Sequence, residues 1–150
     1  LGLAQLGRLQ ELLAKRARVA GWYHERLAPP FPSAAGGEGG WGDEGGLVER
    51  PHLAPTTTRM SWFVYVVRIK PPASRDAVMR RLAAAGIPSR PYFTPIHLQP
   101  FYRQTFGYER GDFPVTEALG DVSLALPFSS VMTEDQVDEV CERLRWAVTG

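Results

Sequence analysis

Residues 86–102 concentrate side chains that could bind a charged molecule carrying a ring system. Arg90 offers a planar guanidinium suited to phosphate or carboxylate, and His97 offers an imidazole that donates or accepts a hydrogen bond. Four prolines in this segment remove backbone donors and fix φ, which predicts a stiff, extended path rather than a helix or a central strand. The residues whose chemistry predicts ligand binding in this segment are Arg90, Tyr92, His97 and Tyr102.

Other kinds of catalytic or binding chemistry are not indicated by the sequence. His24, His52 and His97 are dispersed and lack ligand spacing with Cys141 or with acids, so no metal site is predicted. Residues 37–42 match the G-x-G-x-x-G string of dinucleotide sites, but that string binds phosphate only where it joins a strand to a helix. Here it lies between proline-rich stretches, so we reject the match.

Composition limits the class of protein. The chain has 150 residues, a hydrophobic content of 44% and a net charge of +1, which suits one domain with one core. Neither a basic stripe nor a ribonucleoprotein-type aromatic signature is present, so we expect no nucleic-acid partner. No apolar run approaches the roughly 18 residues of a membrane span, and no signal-peptide pattern is seen, so we expect no membrane partner. Cys141 is the single cysteine, which permits a reducing compartment, and we expect a cytoplasmic location.

Leucines at helical spacing predict one long helix from the start of the chain to Ala28, ended by Pro29 and Pro30. At 1.5 Å per residue this helix would be roughly 40 Å long, more than a free-standing domain of this size usually needs. Its start also lacks a capping residue. We therefore expect an N-terminal portion of the protein to precede it.

The next elements are predicted from composition and periodicity. Residues 33–50 are glycine-rich and are predicted to form a flexible surface loop. Residues 62–69 are β-branched and aromatic, which is typical of a central strand. Ser74 is the predicted cap of a helix that runs through residue 85, and Gly86 is predicted to take the left-handed position after it.

The last third of the chain predicts short helices over residues 101–106 and 114–119, then a strand over residues 124–128. Thr133 and Gln136 form the capping box of a final helix. The buried stripe of that helix is predicted to comprise Val137, Val140, Cys141, Leu144 and Val148. Together these elements predict an α+β fold in which helices cover one face of a small, mostly antiparallel sheet.

Four sequence patterns carry a resemblance to a known family. They are Gly-Ile-Pro-Ser-Arg-Pro-Tyr-Phe at residues 86–93, Pro-Ile-His at residues 95–97, Ser61-Trp62 before the strand, and Leu126-Pro127 before the last helix. These patterns resemble the C-terminal part of the DegT/DnrJ/StrS-type sugar aminotransferases. The resemblance implies that residues 1–150 are the small domain of a fold-type-I aminotransferase, with a long connecting helix at its start. It further implies pyridoxal phosphate as cofactor, a nucleotide-linked keto sugar and an amino-acid donor as substrates, a role in sugar or polysaccharide biosynthesis, and a homodimer.

The resemblance also assigns roles to residues. It implies that Tyr92, Phe93 and His97 approach the entrance for the sugar nucleotide, with Arg90 and Tyr102 as further residues of that site. From residue types alone, Tyr92 and Phe93 could instead be core aromatics, and His97 could be a loop histidine hydrogen-bonded to the backbone.

The lysines limit what this chain could catalyse by itself. Transamination through pyridoxal phosphate needs a lysine amine, an acidic partner for the pyridinium nitrogen and a phosphate site. Lys15 and Lys70 are the only lysines, and neither resembles the cofactor lysine of the family. We therefore expect the cofactor to bind in the complete enzyme, on a large N-terminal domain absent from this chain, and not to this chain alone. Two alternatives remain: a non-catalytic ligand-binding or regulatory module, and a fragment whose first helix docks onto a separate large domain.

Overall fold

The structure, a computed structural model, describes residues 2–28 and 46–150. It confirms the predicted α+β class. In chain order the elements are α1 (Gly2–Gly7), α2 (Leu9–Arg26), β1 (Val48–Glu49), β2 (Tyr65–Ile69), α3 (Arg75–Ala84), β3 (Arg90–Pro91), a 3-10 helix (Ile96–Leu98), α4 (Pro100–Phe106), α5 (Pro114–Val122), β4 (Ser123–Leu126) and α6 (Glu134–Thr149). Among the described residues, no helix combines the length and the apolar character that crossing a membrane requires.

The strands form one sheet in the order β1, β2, β4, β3, and every neighbouring pair is antiparallel. β2 lies between β1 and β4, which confirms the predicted central strand. The strand begins at Tyr65 and not at Trp62, because Trp62 has a positive φ of 47° that turns the chain out of the extended conformation. The Trp62 ring is nevertheless buried and stacks on the Tyr65 ring, with 5.6 Å between centroids.

The core lies between one face of the sheet and the helices α2, α3 and α6. Tyr65, Val67 and Ile69 alternate along β2 and are all buried in this core. Val66 and Arg68 lie between them on the opposite face and are half-buried. The largest fully buried side chains that the three helices contribute are Val19, Tyr23, Val78, Leu82, Val137 and Leu144.

The first helix differs from its prediction. Instead of one continuous helix, α1 and α2 are separated by a turn at Arg8, so the predicted single helix is wrong at that residue. Val19 and Tyr23, in the second half of α2, are fully buried, whereas Leu3 and Leu6 of α1 are 87% and 65% exposed. The leucine stripe therefore continues beyond the part of the helix that packs on the described core. The prolines expected to end the helix lie outside the described residues.

The last helix forms as predicted. The Gln136 backbone N–H donates to Thr133 Oγ1 at 3.3 Å, and the Thr133 N–H donates to Gln136 Oε1 at 3.0 Å, which confirms the capping box. Cys141 is buried in the core, and this burial raises the pKa of its thiol to about 12. Arg26 of α2 forms ion pairs with Glu134, at 2.5 Å, and with Asp138. These pairs tie α6 to α2.

One predicted helix cap and one predicted loop boundary differ from the structure. α3 and the left-handed Gly86, with a φ of 79°, are confirmed, but the Ser74 side chain makes no capping hydrogen bond. The flexible loop predicted over residues 33–50 is wrong at its end, because Val48–Glu49 forms the edge strand β1, in which Glu49 pairs with Arg68 at 2.7 Å. Apolar Val48 is buried there, which offsets the entropy of ordering this short segment. Residues 33–45 lie outside the described residues.

Candidate functional site

The segment of residues 86–102 runs along the edge of the sheet and then turns away from it. β3 pairs with β4, so that Arg90 lies opposite Ala125, and the Tyr92 N–H donates to the Ser123 carbonyl at 3.3 Å. The predicted extended path is therefore confirmed at β3 but wrong from the 3-10 helix onward. Pro95 and Pro100 stand at or just before the first residue of a helix, where the missing N–H costs no hydrogen bond.

Three of the predicted ligand-binding residues are neighbours at this sheet edge. Arg90 is exposed, Tyr92 is half-buried, and Phe93 is 66% exposed. The Tyr92 and Phe93 rings stack with 4.4 Å between centroids. Arg90 thus adds a guanidinium, and Phe93 an aromatic ring, to the exposed surface at this edge, and these two groups suit a ligand with both a negative charge and a planar ring.

His97 does not lie on the same open surface. Its ring is 7% exposed, and its Nε2 lies 3.0 Å from Oε1 of Glu117. The ring also packs on Phe113 at 4.7 Å and on the edge of Tyr108 at 6.4 Å between centroids. The imidazole is thus held by a carboxylate and two aromatic rings.

Glu117 is a buried acid that the sequence analysis did not single out. Its carboxylate accepts hydrogen bonds from the backbone N–H of Gly111, at 2.9 and 3.0 Å, and from that of Phe113, at 3.3 Å. Burial alone would raise the pKa of the Glu117 carboxyl, but the donors of Gly111, His97 and Phe113 outweigh it and hold this pKa below its ordinary value. The signal that could have found this residue is an acid in the first turn of a helix begun by Pro114.

Helix α5 packs against the backbone of the segment that follows β3. Gly120 lies one turn beyond Glu117 on the same helix face, and a Cβ there would meet Pro95 Cδ at 2.9 Å and the Phe93 carbonyl oxygen at 3.0 Å. The end of α5 is held by Arg75, whose Nη1 donates to the carbonyls of Gly120 and Ser123 at 3.0 and 3.2 Å. The backbone of residues 93–97 therefore packs directly against α5.

Tyr102 lies on α4, a helix without a buried residue. The Tyr102 ring contacts Phe101 edge-on at 5.3 Å and stacks on Phe106 at 6.0 Å, and both phenylalanines are exposed. Between α4 and the following loop lies an open groove of about 410 Å³, lined by Leu98, Pro100, Arg103, Gln104, Gly107, Tyr108 and Glu109. Tyr102 thus lies among the rings of α4, whereas Arg90 lies on β3.

Comparison with known proteins identifies the family to which this fold and segment belong. Residues 1–145 match the model of the DegT/DnrJ/EryC1/StrS aminotransferase family. The chain belongs to this family. The match spans both the core and the segment with the predicted ligand-binding residues, as the sequence resemblance implied.

Individual family members agree with this assignment. The GDP-perosamine synthase of Caulobacter vibrioides is 38% identical over 146 residues, which cover 96% of this chain and 34% of that protein. A DegT/DnrJ/EryC1/StrS aminotransferase structure from Brucella abortus is 28% identical, with a TM-score of 0.72 over 99% of this chain and 34% of that one. A sugar aminotransferase of Streptococcus pneumoniae, Spr1654 in its PMP-form, shares the fold with a TM-score of 0.76 at 24% identity, over 98% of this chain and 33% of that one. The chain thus spans about a third of the length of these relatives.

The described residues do not fit the cofactor that the family implies. A lysine that forms a Schiff base must present a neutral amine to the cofactor. Lys15 instead lies on α2 with its Nζ 2.6 Å from Glu11, whose pKa its neighbours Arg8 and Lys15 lower to about 2. Lys70 directly follows β2, away in sequence from the segment that carries the predicted ligand-binding residues. The part of the chain that the structure describes also holds no group of three metal-binding side chains.

Proposed function

We propose that this chain is the C-terminal part of a pyridoxal-phosphate-dependent aminotransferase that moves an amino group from an amino acid to a nucleotide-linked keto sugar. The observation that carries the proposal is the family match over residues 1–145, which includes the segment from β3 to α5. The name of the Caulobacter vibrioides relative, GDP-perosamine synthase, supports a nucleotide-linked sugar as substrate. The family implies pyridoxal phosphate as the cofactor of the complete enzyme.

Within this proposal the substrate entrance is lined by the predicted residues in two different ways. Arg90, Tyr92 and Phe93 contact the nucleotide sugar directly, and their exposure at the sheet edge supports this role. Tyr102 contributes from α4, where it is half-buried between exposed rings. His97 belongs to the same entrance but shapes it from beneath, which its burial against Glu117 supports.

The remaining parts of the enzyme are assigned to the two thirds of the relatives' length that this chain does not cover. In the proposal, that portion supplies the cofactor lysine and the phosphate site, and the chain alone binds no cofactor. The exposed leucines of α1 support contact with such a portion, since an apolar stripe on a surface helix normally faces a partner. The proposal also includes a homodimer and a cytoplasmic location.

The alternative is a non-catalytic module that binds a nucleotide-like ligand at the same surface, which is formed by Arg90, Tyr92 and Phe93. The observation that favours it is the lack, among the described residues, of a lysine placed for Schiff-base chemistry. Both functions use Arg90 and Phe93, so they differ in catalysis and not in the binding surface.

The deciding experiment measures amino transfer by the chain joined to its large domain. Purified enzyme with pyridoxal phosphate and an amino-acid donor is offered GDP-, UDP- and TDP-linked keto sugars, and the amino sugar product is quantified. We expect turnover with at least one nucleotide sugar and none with the free sugar. Binding of the nucleotide sugar without turnover would contradict the proposed enzymatic function and favour the non-catalytic module.

A second experiment tests the cofactor assignment. The chain alone is treated with pyridoxal phosphate and borohydride, and its peptides are analysed by mass spectrometry. We expect no stoichiometric adduct, because the Nζ of Lys15 is paired with the Glu11 carboxylate at 2.6 Å. A stoichiometric adduct on Lys15 or Lys70 would contradict the assignment of the cofactor lysine to the large domain.

A further inference from the structure

The Glu117 carboxylate joins three separate pieces of the chain between β3 and the end of α5. It lies on α5, accepts from His97 on the 3-10 helix, and accepts from Gly111 and Phe113 in the loop before α5. Its side chain is 8% exposed, so water does not supply these bonds. A buried carboxylate is tolerated in proteins only when donors surround it, and here the donors come from the segment it holds in place.

The same carboxylate fixes the chemical state of the histidine ring. An ionised carboxylate has no proton to give, so the hydrogen in the bond between His97 and Glu117 must lie on Nε2. Carboxylates that accept from one imidazole nitrogen set the tautomer and the ring orientation. In the neutral ring this leaves Nδ1 as the acceptor. Glu117 thus determines both where the ring lies and which nitrogen accepts a hydrogen bond.

The loop on the other side of Glu117 depends on the same anchor. Gly111 has a φ of 107°, a conformation that residues with a side chain rarely adopt, and its N–H donates to both oxygens of Glu117. Phe113 donates to Glu117 and packs its ring on His97 at 4.7 Å. Since α4 has no buried residue of its own, the loop after it is held to α5 by these contacts and by Arg110, which pairs with Glu117 at 3.8 Å and with Asp121.

We propose that Glu117 is a positioning residue for sugar-nucleotide binding: it holds His97 and the loop of residues 107–113, and through them the segment that carries Phe93 and Tyr102. The proposal rests on the proposed function, because it deepens the role of the same site. In this proposal Glu117 does not contact the substrate. It acts by fixing one tautomer of His97 and one conformation of the loop. Ring contacts continue from His97 to Tyr108, and then to Phe106 and Tyr102.

The test uses Glu117→Gln, which keeps the size of the side chain and one carbonyl acceptor. The amide has two orientations. With its carbonyl towards His97, its NH₂ opposes the N–H of Gly111; with its NH₂ towards His97, it donates to Nε2 and favours the other tautomer. The matched control is Glu142→Gln, the same change at an exposed position of α6. Glu117→Ala is avoided because removing the whole side chain leaves several buried donors unpaired and could unfold this half of the molecule.

The first readout needs no activity and uses the chain itself. Nitrogen NMR of the imidazole reports the His97 tautomer, and hydrogen exchange reports the amides of Gly111 and Phe113. In the unsubstituted chain we expect the Nε2–H tautomer. In Glu117→Gln we expect a mixture of tautomers and exchange at Gly111 faster by about tenfold, as for the loss of one hydrogen bond to a charged group. Glu142→Gln should change neither. Unchanged His97 signals and exchange in Glu117→Gln would overturn the proposal.

The second readout uses the complete enzyme and separates positioning from general stability. We expect Glu117→Gln to raise KM for the nucleotide sugar by about tenfold while the half-reaction with the amino-acid donor keeps its rate. A lowered melting temperature with an unchanged KM would make Glu117 a purely structural residue and overturn the proposal. Absence of turnover in the unsubstituted enzyme would instead refute the proposed function, while the NMR result would still decide what Glu117 does to His97.

Discussion

The core half and the site half of this molecule are held together by different physical means. In the core, α2, α3 and α6 bury apolar stripes against one face of the sheet. In the site half, from β3 to α5, helix α4 has no buried residue, and a single carboxylate, Glu117, accepts hydrogen bonds from three other residues. The core therefore depends on burial of apolar surface, whereas the site half depends on a few directional contacts.

The largest expected effect is in the core. Leu144 is fully buried on α6, so Leu144→Ala should lower the free energy of unfolding by about 2 to 5 kcal/mol through lost burial and the cavity left behind. Urea denaturation followed by circular dichroism measures this change. Leu6→Ala is the matched control, because Leu6 is exposed on α1 and its loss should cost less than about 0.5 kcal/mol. Equal losses from both variants would refute the assignment of the core.

The next effect lies within the site half, where α5 packs on the segment after β3. Gly120→Ala places a Cβ 2.9 Å from Pro95 and 3.0 Å from the Phe93 carbonyl, so the backbone of the site segment must move. We expect a destabilisation of about 1 to 3 kcal/mol, as for other overpacked positions, together with weaker binding of the nucleotide sugar. Thermal denaturation and a binding titration on the complete enzyme measure the two effects.

Gly21→Ala is the control for that substitution. Gly21 lies within α2, and a Cβ there meets nothing within 4 Å. The change should therefore be neutral or stabilise the helix by up to about 1 kcal/mol. If Gly120→Ala were as harmless as Gly21→Ala, the close packing of α5 on residues 93–95 would be contradicted.

The sequence predicted the core half well because periodicity reports burial directly. The stripe of α6, the central position of β2 and the αL glycine after α3 follow from apolar spacing and residue type, and the structure confirms them. Periodicity could not show that Trp62 turns out of the strand or that Val48–Glu49 adds an edge strand. Those two features depend on tertiary packing of a single ring and on pairing with a distant segment.

In the site half, the sequence did not predict the contacts that the structure shows. Residue types predicted a ligand-binding segment there; the structure shows that Arg90 and Phe93 are exposed, and ligand binding is untested. The pairing of His97 with Glu117 joins residues 20 positions apart through an irregular segment, and no periodic pattern connects them. Whether these residues bind a nucleotide sugar stays a prediction.

A smaller effect compares two helix starts. Thr133→Ala removes a side-chain oxygen that accepts from the Gln136 N–H, so it should cost about 0.5 to 2 kcal/mol. Ser74→Ala should cost less, because the Ser74 hydroxyl makes no capping hydrogen bond at the start of α3. Chemical denaturation of both variants decides the comparison. A larger loss for Ser74→Ala than for Thr133→Ala would contradict the two cap geometries.

The stability that Glu117 contributes to the site half should depend on pH. The folded-state pKa of Glu117 is lowered, so the ionised carboxylate stabilises the fold above its unfolded pKa of roughly 4.3, and this stability is lost as pH falls through the folded pKa. The stability advantage of the unsubstituted chain over Glu117→Gln should therefore be full near pH 6 and shrink as the pH is lowered below about 4. Melting temperatures measured across this range test it. An advantage that grew towards low pH would contradict an ionised Glu117.

The smallest expected effect on stability is at the exposed surface that carries Arg90 and Phe93. Phe93 is 66% exposed and Arg90 is exposed, so Phe93→Ala and Arg90→Ala should each change the free energy of unfolding by less than about 0.5 kcal/mol. Binding should respond differently, because stacking on an aromatic face contributes roughly 1 to 3 kcal/mol per base in complexes where it has been removed by alanine. Titration of the complete enzyme with the nucleotide sugar, beside denaturation of the same variants, separates the two quantities.

Trp146→Ala on α6 is the control for removing an exposed ring far along the chain from the site, and it should leave binding unchanged. If Phe93→Ala destabilised the fold as much as a core substitution and left binding intact, its ring would belong to the core half, and the division of the molecule into two differently stabilised halves would fail at β3.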